Sequence, residues 1–159
     1  MKDILKALEA DPKTTPDQLA TMTGKSVTEI KQTIAKAEKD GTIVKYKTVI
    51  NWPKAGEPEV DALIEVKVQP QKDFGFEAIA EQIYRFAEVR SAYLASGTYD
   101  LALIVTGKTM QDVATFVTHK LSPIDGVQGT ATHFLMKRYK EDNVIYDDND
   151  GIARLVITP

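Results

Sequence analysis

Through the first part of the chain apolar residues recur at helical spacing, and near residue 43 they switch to strand-like alternation. Ile4, Leu5 and Leu8 fall on one face of a first helix, which the Pro12 region must end. A second opens at Thr15-Pro16-Asp17, with Thr15 as N-cap and Pro16 at the first helical position, where its missing N–H costs nothing. Gln18 completes a capping-box spacing, and Leu19, Ala20 and Met22 supply the buried face. Gly24 gives the backbone freedom to turn. Ser26 then caps a third helix running from Val27 to about Asp40, with Glu29 at the capping-box position and Val27, Ile30, Ile34 and Ala37 as its inner stripe. Gly41 stops it, and in "TIVKYKTVI" Val44, Tyr46 and Thr48 alternate with Lys45 and Lys47, as in a strand or wing.

The remainder follows a second rhythm. "VDALIEVKV", from Val60 to Val68, alternates as a strand, and "FEAIAEQIYRFAEV", from Phe76 to Val89, places Ile79, Ile83, Phe86 and Ala87 at helical spacing. "RSAYLASG" predicts a second strand. After the turn "GTYD" comes "LALIVTG", apolar on both faces and so expected at the centre of a sheet. Thr109 caps another helix, "MQDVATFVTHKL", with Val113, Phe116, Val117 and Leu121 inward, and "VQGTATHFLMKRY" gives a fourth strand. The order β-α-β-β-α-β predicts a ferredoxin-like split βαβ domain, in which two helices cover one face of a four-stranded antiparallel sheet. The other face needs cover, which a second subunit's sheet can supply.

Charge separates the two parts. Residues 1–50 carry nine Lys and seven acids, a net of +2, whereas the other 109 residues carry eleven Lys or Arg and sixteen acids, a net of −5. "NWPKAGEPEVD", with two Pro and one Gly, marks the boundary as a linker. The expected division is a DNA-binding domain over 1–50, a linker over 51–60, an effector-binding and oligomerisation domain over 61–140, and a tail over 141–159 in which "IARLVITP" has a strand-like pattern. Cysteine is absent, which excludes disulfides and thiolate metal sites. The N-terminal stretch has no apolar core of signal-peptide length, and the longest aliphatic run, Leu101 to Val105, is far too short to span a bilayer. A cytoplasmic protein with no membrane partner is expected.

Three short helices with a glycine turn between the second and third, followed by a basic β segment, form the pattern of a winged helix-turn-helix. The turn aims the third helix at a DNA major groove. Its outward residues Lys25, Ser26, Thr28, Glu29, Lys31 and Gln32 suit phosphate anchoring and base-edge hydrogen bonding, and Lys45 and Lys47 suit phosphates. A plain helical bundle with an ordinary glycine cap is the bland alternative, because a net of +2 is a weak electrostatic footprint for one copy. Dimerisation would double it.

Taken together, "LATMTGKSVTEIKQTIAKAEKDGTIVKYKTVIN", "ASGTYDLALIV" and "GVQGTATHFLMKRYK" make the chain resemble the Lrp/AsnC (feast/famine) family of transcription regulators over nearly its whole length. The resemblance implies a homodimer that assembles into tetramers or octamers, with a small effector, typically an amino acid, bound between dimers near the Gly-x-Tyr-Asp turn. On that basis Ser96, Gly97, Thr98, Tyr99 and Asp100, with Thr130 and Thr132 on one face of the fourth strand, are the candidate effector contacts. Backbone N–H groups around Gly97 and Thr98 would meet a carboxylate, and Asp100 or a neighbouring hydroxyl an ammonium. Turn formation alone also explains Gly97 and Asp100. The long tail and the Pro- and Gly-rich linker depart from the family pattern.

No cofactor and no enzyme activity are expected. His119 and His133 are the only histidines, fourteen residues apart and without cysteine, which supports neither a metal site nor an acid–base pair. Two rival readings are a nucleoid-type DNA-compacting protein and a haem-pathway decarboxylase of the same architecture. The latter group carries Arg- and His-rich runs that are missing here.

Overall fold

A computed structural model describes residues 1–69 and 75–146, and the strand-like "IARLVITP" lies outside the described residues. The chain forms two compact units, the first Met1–Ile50 and the second beginning at Asn51.

The first unit contains α1 (Lys2–Ala10), α2 (Pro16–Thr23) and α3 (Val27–Lys39). α2 and α3 both start with capping boxes, whereas α1 has no side-chain cap. Gln18 N–H donates to Thr15 Oγ1 at 3.3 Å while Gln18 Oε1 accepts from Thr15 N–H at 2.8 Å. Glu29 N–H donates to Ser26 Oγ at 3.2 Å while Glu29 Oε2 accepts from Ser26 N–H at 3.0 Å. Each box satisfies donors that the first turn of a helix leaves unpaired. Gly24 takes the left-handed conformation at φ 68°, which a Cβ would disfavour, and so allows α3 to leave α2 abruptly. Ile4, Leu8, Leu19 and Ile30 form the core, flanked by Ala7, Ala20, Ile34 and Ile43.

Two expectations fail in this unit. Met22 is 67% exposed, because Leu19 and Ala20 set the inward direction of α2 and Thr23, four residues after Leu19, shares it, whereas Met22 points to the side. Residues 44–50 form no strand: a ladder needs a neighbouring strand, and the described residues offer none.

The second unit contains β1 (Val60–Val68), α4 (Phe76–Tyr84), β2 (Val89–Leu94), β3 (Leu101–Gly107), α5 (Met110–Phe116) and β4 (Val127–Phe134). One sheet runs in the order β2-β3-β1-β4, with antiparallel pairing throughout. Ala62, Ile64, Val66 and Val68 alternate onto one face of β1 and meet Leu101, Leu103 and Val105 of β3, with Ile79, Ile83, Val113 and Phe116 from the helices completing the core. Phe86 and Phe116 meet edge to face at 5.6 Å and 80°. The opposite face carries Leu63, Glu65 and Lys67 of β1, Ala102 and Ile104 of β3, and Ala131 and His133 of β4, since directly paired residues share a face.

The helices are shorter than their periodicity implies. α4 ends at Tyr84, and turn bonds from Phe86 N–H to Ile83 O and from Val89 N–H to Phe86 O carry the chain into β2, leaving Ala87 exposed. α5 passes into one π-helical turn at Val117–Leu121, which still buries Leu121. β4 stops at Phe134: after the pair Ala62 with Phe134, Leu135 N–H to Asp61 O continues the bonding, while the start of β1 goes on pairing with β3 alone. The chain instead makes a small hairpin, β5 (Lys140–Glu141) with β6 (Val144–Ile145), through Asp142 and Asn143 at φ 46° and 64°. Both residues tolerate positive φ, as a two-residue hairpin turn requires.

Candidate nucleic-acid interface and effector turn

The first site is the outward side of α3. Lys25, Ser26, Thr28, Glu29, Lys31 and Gln32 are all exposed, while Ile30 between them is fully buried and fixes the roll of the helix. The six residues are not equivalent. Glu29 is occupied by the cap: its carboxylate accepts from Ser26 N–H and from Ser26 Oγ at 2.9 Å and lies 4.0 Å from Lys25 Nζ. The backbone bond from Ser26, then its hydroxyl and Lys25, hold the Glu29 pKa below the ordinary carboxylate value. Ser26 and Glu29 are thus engaged in the cap, and Lys25, Thr28, Lys31 and Gln32 are exposed beside it.

The wing lysines leave the C-terminal end of α3. Asp40 Oδ1 accepts from Thr42 N–H at 3.0 Å, Gly41 is left-handed at φ 76°, and Ile43 N–H donates to Ala37 O at 2.9 Å. Lys45 and Lys47 follow, both exposed, on either side of Tyr46.

The second site is the β2–β3 turn. Ser96, Gly97 and Thr98 are exposed and Tyr99 and Asp100 half-buried. Gly97 sits at φ 151°, a region that side-chain-bearing residues rarely occupy, with open space where a Cβ would be. Asp100 is engaged inside the chain: Oδ2 accepts from Val68 N–H at 2.8 Å, and Lys67 Nζ stands 3.3 Å from Oδ1 and 3.2 Å from Oδ2. The Val68 bond first, then Lys67, depresses its pKa. Asp100 N–H also donates to Val66 O at 3.0 Å. The residue therefore ties the turn to the end of β1, where the register between β1 and β4 shifts at Lys67/Val68.

Thr130 and Thr132 alternate on one face of β4, as expected, and pairing with Val66 and Ile64 puts them on the helix-covered side. Val66 also pairs with Leu101, so Thr130 and the turn lie at the same end of the sheet with β1 between them. Thr132 lies one step further in.

A charged cluster that the sequence does not announce sits at the other end of β1. Asp61, only 8% exposed, accepts from Thr106 Oγ1 at 2.6 Å and from Arg138 Nη2, with Arg90 Nη1 3.8 Å away. Arg90 is paired to Glu59 at 3.0 Å and Arg138 to Glu141 at 2.8 Å. Burial pulls the Arg138 pKa down, but Tyr146, Asp61 and Glu141 outweigh it and raise the pKa above the ordinary value. The cluster floors a cleft of about 810 Å³ walled by Trp52, Leu135, Tyr139 and Tyr146. Its buried charges are satisfied by one another, which makes it a clasp joining the start of β1 to the β5–β6 hairpin. Separations of up to 77 residues hid it from a linear reading.

His119 lines a shallow pocket with Glu88, Asp112 and Lys120. His133 lies on the open sheet face 3.7 Å from Glu65, and no group of three metal-ligating side chains occurs among the described residues. No helix among them is long and apolar enough to cross a membrane.

Comparison with known proteins agrees with this geometry. Residues 61–145 match the family model for the Lrp/AsnC ligand binding domain, and residues 1–44 match a winged helix-turn-helix DNA-binding model. The chain belongs to the Lrp/AsnC family of transcriptional regulators. It is 43% identical over 158 residues to the HTH-type transcriptional regulator YugG of Bacillus subtilis, covering 99% of this chain and 95% of that one. Among solved structures, a transcriptional regulator of Neisseria meningitidis in complex with L-Met matches at TM-score 0.72 and 23% identity, over 87% of this chain and 88% of that one. A feast or famine regulatory protein of Mycobacterium tuberculosis complexed with L-methionine matches at TM-score 0.72 and 21% identity, over 94% and 95%. These likenesses bear out the winged helix-turn-helix joined to an α+β domain with an antiparallel sheet.

Proposed function

We propose that this regulator binds duplex DNA sequence-specifically through α3, with Lys25, Thr28, Lys31 and Gln32 toward the groove and Lys45 and Lys47 on phosphates. Its second unit takes a small effector, an amino acid, at the turn Ser96 to Asp100 with Thr130 and Thr132 nearby. The observation that carries the DNA assignment is the buried Ile30 within an exposed, doubly capped polar face, because it presents side chains at fixed roll. The amino-acid assignment is supported by the two fold neighbours that carry L-methionine. In this reading the ligand carboxylate meets backbone N–H groups around Gly97 and Thr98. The carboxylate of Asp100 shapes the turn and leaves the ammonium to neighbouring hydroxyls, since it is already bonded to Val68 and Lys67.

The open sheet face packs against that of a second copy, giving a dimer that doubles the basic footprint of a single DNA-binding unit. Further assembly of dimers couples to the effector. A ligand shifts such an equilibrium only by its differential affinity for the two states. The relatives' names as transcriptional regulators support regulation over catalysis.

The testing experiment is a thermal-shift screen of the twenty amino acids followed by sedimentation. A true effector at ~100 times its dissociation constant adds roughly 2.7 kcal/mol to stability. It also changes the distribution between dimer and higher oligomer. Tight binding with no change in assembly or DNA affinity contradicts the switch.

A further inference from the structure

Residues 44–50 carry two lysines assigned to phosphates, yet they have no strand partner among the described residues. Something else must fix where those lysines lie relative to α3. Two bonds do so, both made to adjacent residues in the last turns of that helix. Ile43 N–H donates to Ala37 O at 2.9 Å, and Tyr46 Oη–H donates to Glu38 Oε1 at 2.9 Å. The tyrosine is well placed for this. Tyr46, 43% exposed, lines a cleft between α1 and the segment together with Leu5, Leu8 and Ile43. Burial, then Glu38, raises the phenol pKa, so the hydroxyl keeps its proton and remains a donor.

Resting on the DNA-binding reading above, we propose that Tyr46 is a positioning residue for the wing: its hydroxyl, latched to Glu38 of α3, sets Lys45 and Lys47 at a fixed reach from the recognition helix. Lys45 and Lys47 are the chain neighbours of Tyr46 and both are exposed, so a shift of the tyrosine carries both. Without the latch the segment keeps its bond at Ile43 but loses the bond made by the residue between the two lysines, and their approach to the phosphates that the helix has already placed becomes less ordered. Affinity falls without any direct contact being removed.

Tyr46→Phe keeps the ring and deletes only the donor. In the full chain we expect binding to a mixed-sequence duplex to weaken about fivefold, the size of one modest hydrogen bond. The slope of log affinity against log salt flattens toward that of Lys45→Ala/Lys47→Ala, which loses about 0.9 for each phosphate contact. The thermal midpoint stays near that of the wild type. Two backgrounds separate positioning from direct contact. In Lys45→Ala/Lys47→Ala the tyrosine has nothing to position, and in Glu38→Ala it has no acceptor, so adding Tyr46→Phe to either has no further effect. A full fivefold loss in either background means that the hydroxyl acts elsewhere, and it overturns the proposal. Wild-type affinity and slope in Tyr46→Phe overturn it while leaving DNA binding intact. A wild type that binds no duplex at all overturns the DNA reading, and the latch with it.

Discussion

Ser26 stands at the point where aiming α3 and touching DNA could be confused, and its bonds within the chain make the two separable by experiment. Its Oγ accepts from Glu29 N–H at 3.2 Å and donates to Glu29 Oε2 at 2.9 Å, while its own N–H donates to the same carboxylate oxygen. Ser26→Ala removes the cap acceptor and leaves an orphan donor at the start of α3. Such losses cost about 1 kcal/mol, within a range of about 0.5–2, whereas asparagine and aspartate cap about as well as serine. In a unit as small as Met1–Ile50, ~1 kcal/mol lowers the unfolding midpoint by roughly 4–8 °C or somewhat more. The assay is thermal unfolding of the full chain by far-ultraviolet circular dichroism, which is dominated in its first unit by α1, α2 and α3. Duplex binding is measured on the same preparations well below the midpoint. We expect Ser26→Ala to lower the midpoint and to change DNA affinity about twofold or less, and Ser26→Asn to restore the midpoint. An unchanged midpoint combined with lost DNA binding would refute the cap and make the hydroxyl a DNA contact.

Acid sensitivity follows from Asp100. Its folded pKa is depressed by Val68 N–H and Lys67, so its contribution is fully present above the unfolded value of about 3.9 and is lost as pH falls through the lower folded value. Asp100→Asn is therefore less stable than wild type near neutrality, and urea titrations should show the difference shrinking below about pH 4; a difference independent of pH contradicts the assignment. Gly126, at φ 90°, would place a Cβ 2.6 Å from Ile79 Cδ1 and 3.1 Å from Gln69 O, so Gly126→Ala should cost more than about 1 kcal/mol in urea unfolding, and a neutral outcome counts against the packing of α4 on this corner. Asp61→Ala breaks a buried pair whose arginines keep other partners, Glu59 and Glu141, and a loss of about 2–3 kcal/mol is expected, followed through the fluorescence of Trp52, the single tryptophan, beside the same cleft. A change below about 0.5 kcal/mol would remove the clasp from the account.

The local signals proved the most legible. Thr15, Ser26 and Thr109 announce their helices because a capping box needs only a hydroxyl and an acceptor three residues on, and all three boxes form. Gly24 and Gly41 announce their turns for an equally local reason. Periodicity also located the sheet strands, since β1 and β3 each bury one face. It misjudged Met22, whose hydrophobicity says nothing about which side of a short helix is inward, and Ala87, which has helical spacing but lies past the end of α4. The wing resembled a strand because alternation is a property of side chains, while a strand also requires a neighbour. The Asp61 cluster was invisible because its members come together only once β1, β2 and the hairpin are in place. Asp100 drew attention as a polar turn residue; its bond to Val68 across 32 positions required the structure.

The most direct test of the account is the affinity of the full chain for duplex DNA, titrated with and without whichever amino acid stabilises the protein in the thermal screen. An effector-responsive regulator predicts salt-dependent duplex binding that shifts by roughly 5- to 150-fold when the amino acid is added, together with a reciprocal shift of amino-acid affinity when DNA is added. Duplex binding that is the same with every amino acid, or an amino acid bound tightly with no effect on DNA, would contradict it.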